Sequence, residues 1–220
     1  YRRAYFDDGT PLGSKENEEC KIDAIVQSWS VLSGVAGKER KEMAMAALDK
    51  YLVKKDPGLI QLLDPPFDDS ELNPGYIRGY VPGVRENGGQ YSHAAIWALM
   101  AFAKMGRRDK TWELFSMIHP INHTYDAQQV ATYKTEPYVM AADVYANESH
   151  SGRGGWTWYT GSSGWMYQFI ISSLLGLERI GDQLVFTPCF PEEWPFVTVK
   201  YRYKNATYHI KIFQVASTGS

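Results

Sequence analysis

The stretch Ile22-Asp23-Ala24-Ile25-Val26-Gln27-Ser28-Trp29-Ser30-Val31-Leu32-Ser33-Gly34-Val35-Ala36-Gly37-Lys38-Glu39-Arg40-Lys41-Glu42-Met43-Ala44-Met45-Ala46-Ala47-Leu48-Asp49-Lys50-Tyr51-Leu52-Val53 reads as two helices joined by glycines. Ile22, Ile25, Val26, Trp29, Leu32 and Val35 recur at helical spacing, which predicts a helix over about 16–33 that Gly34 and Gly37 end. A second helix is predicted over 38–53. It carries Met43, Ala47, Leu48, Tyr51 and Leu52, with the positive residues on the opposite, solvent face. The same plan returns downstream. Helices are predicted over 91–105, ending at Gly106, and over 108–118, stopping before Pro120. Two more are predicted near 136–145 and over 163–175, ending at Gly176. Beyond Gly181-Asp182 the pattern changes to apolar–polar alternation at 184–186, 197–203 and 208–212, with a turn at Asn205-Ala206.

The predicted fold is therefore mainly α. About six helices in hairpin-like pairs, with long loops between pairs, follow the plan of half of an (α/α)6 barrel over residues 1–180. A small β-module follows over 181–220. At the other end, Tyr1 to Phe6 fits a short strand and Asp7-Asp8-Gly9-Thr10-Pro11 is turn chemistry. Residues 59–90 form a long irregular stretch with several Pro and Gly, and such loops tend to carry function.

Composition narrows the function classes. The 220 residues are 44% apolar and 22% charged, ordinary for a globular chain and unlike a disordered one. Lys plus Arg number 23 against 25 Asp plus Glu, with no basic stripe, so a nucleic-acid partner is not expected. The apolar runs are too short and broken for a transmembrane helix, and no direct membrane contact is expected. Tyr1-Arg2-Arg3 does not begin a signal peptide. Together with two widely separated cysteines, Cys20 and Cys189, this sets the expected location as cytoplasmic. Aromatics are plentiful, with 7 Trp, 15 Tyr and 9 Phe. Flat rings beside tight glycine turns suit a sugar site, and they also suit any dense core.

Three stretches carry candidate chemistry. Val84-Arg85-Glu86-Asn87-Gly88-Gly89-Gln90-Tyr91-Ser92-His93 leads from the long loop into a helix. Its glycines permit positive φ and close approach of a ligand, and its polar side chains exceed what helix capping needs. Gly152-Arg153-Gly154-Gly155-Trp156-Thr157-Trp158-Tyr159-Thr160-Gly161-Ser162-Ser163 places Gly, Thr and Ser at a helix start, where backbone N–H groups and the helix dipole favour an anion. A tight loop with an ordinary Ser cap explains the same residues, and the ending of a nucleotide P-loop is missing. Lys134-Thr135-Glu136-Pro137-Tyr138 sets a carboxylate at a helix start, either as a favourable N-terminal charge or as a functional acid. His119, His123 and His150 lack ligand spacing, so no metal is expected.

Arg3-Ala4-Tyr5-Phe6-Asp7-Asp8-Gly9-Thr10-Pro11-Leu12-Gly13-Ser14 and the two stretches around His93 and Thr160 resemble, in that order, the C-terminal part of the cellobiose-phosphorylase family, family 94 of the glycoside hydrolases. Within it they are most similar to the phosphorylase-like region of cyclic β-1,2-glucan synthases and to β-1,2-oligoglucan phosphorylases. The resemblance implies an (α/α)6 barrel with a small β-module. It also implies inverting phosphorolysis of a β-glucoside, with inorganic phosphate as co-substrate and no cofactor. One carboxylic acid protonates the glycosidic oxygen while phosphate attacks from the opposite face.

By the resemblance, His93, Thr160 and Gly161 bind phosphate. Glu86, assisted by Gln90, holds the hydroxyls of a β-glucan or of a glucose disaccharide or oligosaccharide. The family's acid lies in a Trp-Asn-Asp motif that this sequence lacks. No residue here is therefore assigned as catalytic, and the general acid is expected upstream of Tyr1. Inner-face residues Trp29, Trp97, Trp165 and Met166 are expected to lack neighbours and to meet the missing N-terminal half or a second copy. A synthase parent would put the chain on the cytoplasmic face of the inner membrane. Two other readings stay open. One is an inverting α/α-barrel hydrolase using Glu86 or Glu136 with Asp7 or Asp8. The other is a non-catalytic glucan-binding module.

Overall fold

A computed structural model describes residues 1–69, 71 and 73–215. The last five residues of the expected β-module lie outside the described residues. Strands β1 (Ala4–Tyr5) and β2 (Pro11–Leu12) pair across the Asp-Gly turn, where Asp8 Oδ1 accepts from the Thr10 N–H at 2.8 Å. Strand β3 (Ile22–Asp23) leads directly into α1 (Ala24–Leu32), and Asp23 caps it by accepting from the Ile25 N–H. This helix starts about eight residues later than its apolar spacing predicts. The cause is tertiary: the Cys20 and Lys21 N–H groups donate to Pro65 and Asp64 carbonyls, and Cys20 sits at φ 48°. Those bonds hold residues 20–23 as extended chain, so Ile22 belongs to a strand.

Helix α2 (Lys38–Leu52) follows from Gly37. Strands β4 (Val53–Lys54) and β5 (Leu59–Ile60) form a hairpin around Asp56-Pro57-Gly58, and β6 (Leu63–Asp64) pairs with β3. A 3₁₀ turn spans Gly75–Gly79. Strand β7 (Gln90–Tyr91) runs into α3 (Ser92–Lys104), followed by α4 (Arg108–Ile118) and a 3₁₀ turn at Pro120–His123.

The fifth helix is not over 136–145. Helix α5 is Ala127–Tyr133, capped by Asp126, whose carboxylate oxygen accepts from the Gln129 N–H, and ended by Lys134 at φ 57°. Residues 136–145 are non-helical instead, with a turn over 136–139 before the chain reaches a short strand. There the Ala142 N–H donates to the Trp156 carbonyl, and β8 (Asp143–Val144) pairs with β7. Helix α6 (Thr160–Gln168) begins three residues before its predicted start and continues as π-helix over Phe169–Leu174. Strands β9 (Leu177–Ile180) and β10 (Gln183–Phe186) form one antiparallel hairpin, and β11 (Phe196–Tyr203) and β12 (Ala206–Phe213) form another. The described residues thus hold six α-helices and small two-stranded sheets.

Helix α3 is the centre of the molecule. Ala94, Ala95, Ile96, Ala98, Leu99 and Ala101 are all at most 1% exposed, so it is apolar nearly all round, as an enclosed helix must be. Its alanines let α1, α4 and α6 pack directly against it, while α2 lies on α1 with its charged face outward. Trp97 of α3 meets Trp29 of α1 and Trp165 of α6 edge-on, at 5.6 and 5.5 Å. Contrary to the expectation that these side chains lack neighbours, Met166 is 5% exposed, Trp97 and Trp165 are half-buried in the main core, and only Trp29 stays exposed. The segment between the two C-terminal hairpins is fastened to α4, where Trp112 meets Trp194 at 5.1 Å and Arg108 pairs with Glu192 at 3.0 Å.

Candidate functional site

The loop before α3 is fixed by Asn87. This fully buried amide accepts from the Phe67 N–H at 2.7 Å and donates to the Phe67 and Tyr80 carbonyls at 2.8 Å each. It sews the long irregular stretch into a rigid wall. Gly88 takes φ 83°, and a methyl group on Gly89 would lie 2.9 Å from the Arg85 backbone N and O. Both glycines let the chain pack closely on itself here. Gln90 is 1% exposed and its Oε1 accepts from the Ile60 N–H at 3.0 Å, which ties β7 to β5.

Strand β7 then aims the start of α3. His93 stacks on Tyr91, with ring centroids 5.1 Å apart and planes 18° from parallel, and meets Trp97 edge-on. Its Nδ1 is buried without a hydrogen-bond partner. Burial holds its pKa below the ordinary 6.5, so the imidazole is neutral at neutral pH. Its other nitrogen faces α6: a methyl group built on Gly161 would come within 2.6 Å of His93 Nε2. The structure therefore brings His93 and Thr160-Gly161 together, although they are 67 and 68 positions apart in the chain.

Thr160 and Gly161 form the exposed first turn of α6 rather than its approach. The cap residue Tyr159 offers no side-chain hydrogen bond there, so the first N–H groups have no intrahelical partner. The Ser162 hydroxyl, also in that turn, is buried and unpartnered. A helix N-terminus, a neutral imidazole and two orphaned polar atoms make a place suited to a small anion.

Glu86 lies in a second cluster. Its Oε2 is 3.5 Å from Arg85 Nε, and the Arg85 guanidinium lies over the rings of Trp156 (4.6 Å) and Tyr80 (5.1 Å). Asp143, which sequence reasoning missed, is 2% exposed beside them. Its Oδ1 accepts from the Trp156 N–H at 3.3 Å and its Oδ2 has no hydrogen-bond partner. Burial pushes this carboxyl above the usual carboxylate range, opposed by hydrogen bonding to Trp156 and by the Arg85 charge. Gly155 has to be glycine here, because a methyl group would fall 2.2 Å from Asp143 Oδ1. The available signal was a lone carboxylate in the apolar run Val139-Met140-Ala141-Ala142-Asp143-Val144.

The remaining candidates sit apart from these clusters or serve the fold. Asp8 caps its turn, and hydrogen bonding to Thr10 lowers its carboxyl pKa. Cys20 is buried, with its thiol pushed up to about 12. Among the described residues no group of three His, Cys, Asp or Glu is placed to hold a metal ion, and no helix is long and apolar enough to cross a membrane. A cavity of about 990 Å³ lies between the N-terminal segment and α2, lined by Tyr1, Tyr5, Arg40 and Tyr51 among others. Its lining includes none of His93, Thr160, Gly161 and Ser162.

An apolar helical body with a polar site built by loops and helix starts is the architecture of an enzyme or a small-ligand binder. Comparison with known proteins decides the family. Residues 1–176 match the family described as Glycosyl hydrolase 94 superfamily, catalytic domain, and the chain belongs to that family. It is 46% identical over 219 residues to the cyclic beta-(1,2)-glucan synthase NdvB of Rhizobium meliloti, covering all of this chain and 8% of that protein. It is 31% identical over 214 residues to an N,N'-diacetylchitobiose phosphorylase of Vibrio proteolyticus, covering 96% of this chain and 26% of that protein. With the 1,2-beta-oligoglucan phosphorylase of Listeria innocua it shares 32% identity over 189 residues, 79% of this chain and 17% of that one. The chain thus spans about a quarter or less of the length of these relatives.

Proposed function

We propose that the chain supplies the phosphate-holding part of an inverting phosphorylase acting on a β-glucoside, with β-1,2-linked glucans as the substrate class. One observation carries this reading: the His93 imidazole stands against Gly161 in the open first turn of α6. Inorganic phosphate sits in that turn, bound by the Thr160 and Gly161 N–H groups and by His93. A phosphate oxygen attacks the anomeric carbon as the glycosidic C–O bond breaks. The leaving oxygen takes a proton, and an α-glucose 1-phosphate forms. The relatives named as phosphorylases support the reaction type, and the two β-1,2-glucan relatives support the linkage.

Glu86 holds sugar hydroxyls in this scheme, its carboxylate oriented by Arg85, and Gln90 positions the loop from behind through Ile60. The proton donor is not assigned among these residues. The scheme draws it from polypeptide beyond the 220 residues, consistent with the small share of its relatives that the chain spans. Calorimetric titration of the chain with phosphate and with sulfate tests the reading. Binding is expected in the unsubstituted chain and is expected to weaken at least roughly tenfold in His93→Ala, the effect of losing a hydrogen bond to a charged group. Equal affinity in both chains would remove the basis for the site.

A further inference from the structure

The segment from Lys134 to Tyr138 and the loop just before α6 meet in a feature that the phosphate site does not use. Trp158 takes φ 65°, a left-handed conformation that a bulky residue adopts only under constraint, and its ring is 67% exposed. The ring is held in place: Trp158 Nε1 donates to Glu136 Oε1 at 2.9 Å, and Tyr138, itself 75% exposed, meets it edge-on at 6.2 Å. Beside it, Trp156 and Tyr159 stack at 5.5 Å with planes 13° apart, and both are about half exposed. A strained backbone that turns a large ring outward gains nothing for the core. Hydrogen bonding from Trp158 also holds the Glu136 carboxyl below the usual range, so it is charged at neutral pH.

Glu136 also borders a concavity of about 590 Å³ whose walls carry Lys134, Thr135, Arg153 and Thr157. The side chains that line it are polar or charged apart from Val130, with Gly154 and Gly155 completing the wall. That combination argues against a protein partner, whose docking patch would have an apolar, charge-poor centre. Flat exposed rings next to a rim of carboxylate acceptor, hydroxyl groups and cationic donors match a pyranose, which is apolar on its faces and hydroxylated at its edge.

We propose that Trp158, Tyr138 and Glu136 form an additional saccharide subsite. It takes glucosyl units of a β-linked oligosaccharide that lie one or more residues away from the bond that reacts. Trp158 stacks on a sugar face, Tyr138 buttresses it, and Glu136 accepts hydrogen bonds from hydroxyls at the mouth of the concavity. The subsite lies two residues before Thr160, so a chain bound there extends from the phosphate site along the α6 entry loop. This rests on the proposed action on β-glucosides and makes chain length, not only linkage, a determinant of affinity.

Titration of the chain with β-1,2-linked glucose oligosaccharides of increasing length tests the subsite. In the unsubstituted chain, affinity rises from the disaccharide to the longer oligosaccharides. Trp158→Gly relieves the positive φ and so keeps the fold. It is expected to lower affinity for the longer oligosaccharides roughly tenfold while leaving the disaccharide unchanged. Trp158→Tyr, which restores a ring, recovers part of the gain. Affinity independent of length, or a length dependence untouched by Trp158→Gly, overturns the proposal, as does absence of any oligosaccharide binding. Sulfate titration of the same variants separates this from the phosphate site: Trp158→Gly leaves sulfate binding intact, and its loss only in His93→Ala speaks to that site alone.

Discussion

At the scale of single residues, the contact between His93 and Gly161 makes two predictions of opposite sense for binding and stability. Gly161→Ala introduces a methyl group 2.6 Å from His93 Nε2, so the imidazole must move away from the proposed phosphate position. Gly161 has ordinary helical φ, and alanine is the better helix former by about 1 kcal/mol. Sulfate affinity is therefore expected to fall roughly tenfold while the urea midpoint holds or rises slightly. A variant that binds sulfate normally would place the anion elsewhere. Titration of His93 gives the second test. Its pKa lies below 6.5 because burial disfavours the cation, and a bound dianion favours that cation. Sulfate affinity should then rise as pH falls through the His93 pKa and flatten above it. Sulfate does not titrate in this range, so the slope belongs to the protein, and His93→Gln should abolish it.

At the scale of elements, α1 depends on one buried pair. Asp23 is fully buried, caps α1, and pairs through Oδ2 with Arg3 Nη1 at 2.5 Å, which also fixes the N-terminal segment against the helix. Arg3→Met strands that carboxylate and is expected to cost about 3 kcal/mol, read from urea unfolding; Arg3→Met with Asp23→Asn, which removes the charge and keeps the cap, should recover much of it. A change under 1 kcal/mol in the single variant would show that water reaches the Asp23 carboxylate once the partly exposed arginine is removed. The same pair explains what could be read from the chain. Helices α2, α3 and α4 are legible because their apolar spacing runs uninterrupted between Gly or Pro boundaries. The start of α1 is not, because strand pairing with β6 captures Ile22 despite its helical spacing. Helix α5 was misplaced because Asp126 and Gln129 form a capping pair ahead of a short polar helix, while the more apolar 139–144 run is drawn into pairing with β7 and the Trp156 loop. Within the site, His93 and Thr160-Gly161 each carried a local signal. Their contact is set by α3 packing on α6, and Asp143 gains meaning only once burial leaves its Oδ2 unpartnered.

At the scale of the whole molecule, one apolar core joins α1, α2, α3, α4 and α6 and reaches the C-terminal hairpin, where Val197 and Ile212 pack against it. Unfolding is expected as a single cooperative transition, and its pH dependence follows from the buried histidines. His93, His119 and His123 all have pKa values lowered from 6.5, in each case chiefly by burial. In the unfolded chain they bind protons near 6.5, whereas in the folded chain they resist until lower pH. The unfolded state therefore binds more protons in that interval, and stability must fall as pH drops below 6.5. The buried carboxyls Asp23 and Asp143, raised above 3.8, act in the opposite sense, with stability gained as pH falls through their folded values. The interval just below neutrality thus reports the histidines first. His123 is the most informative of them, because it stacks flat on Tyr133 at 4.8 Å and its Nε2 is buried without a partner. His123→Phe keeps the stacked ring and removes the titration. Its urea midpoint should fall less steeply between pH 7 and pH 5.5 than that of the unsubstituted chain. Parallel pH profiles would mean that His123 accepts a proton in the folded state as readily as in the unfolded one, and that burial there carries no electrostatic cost.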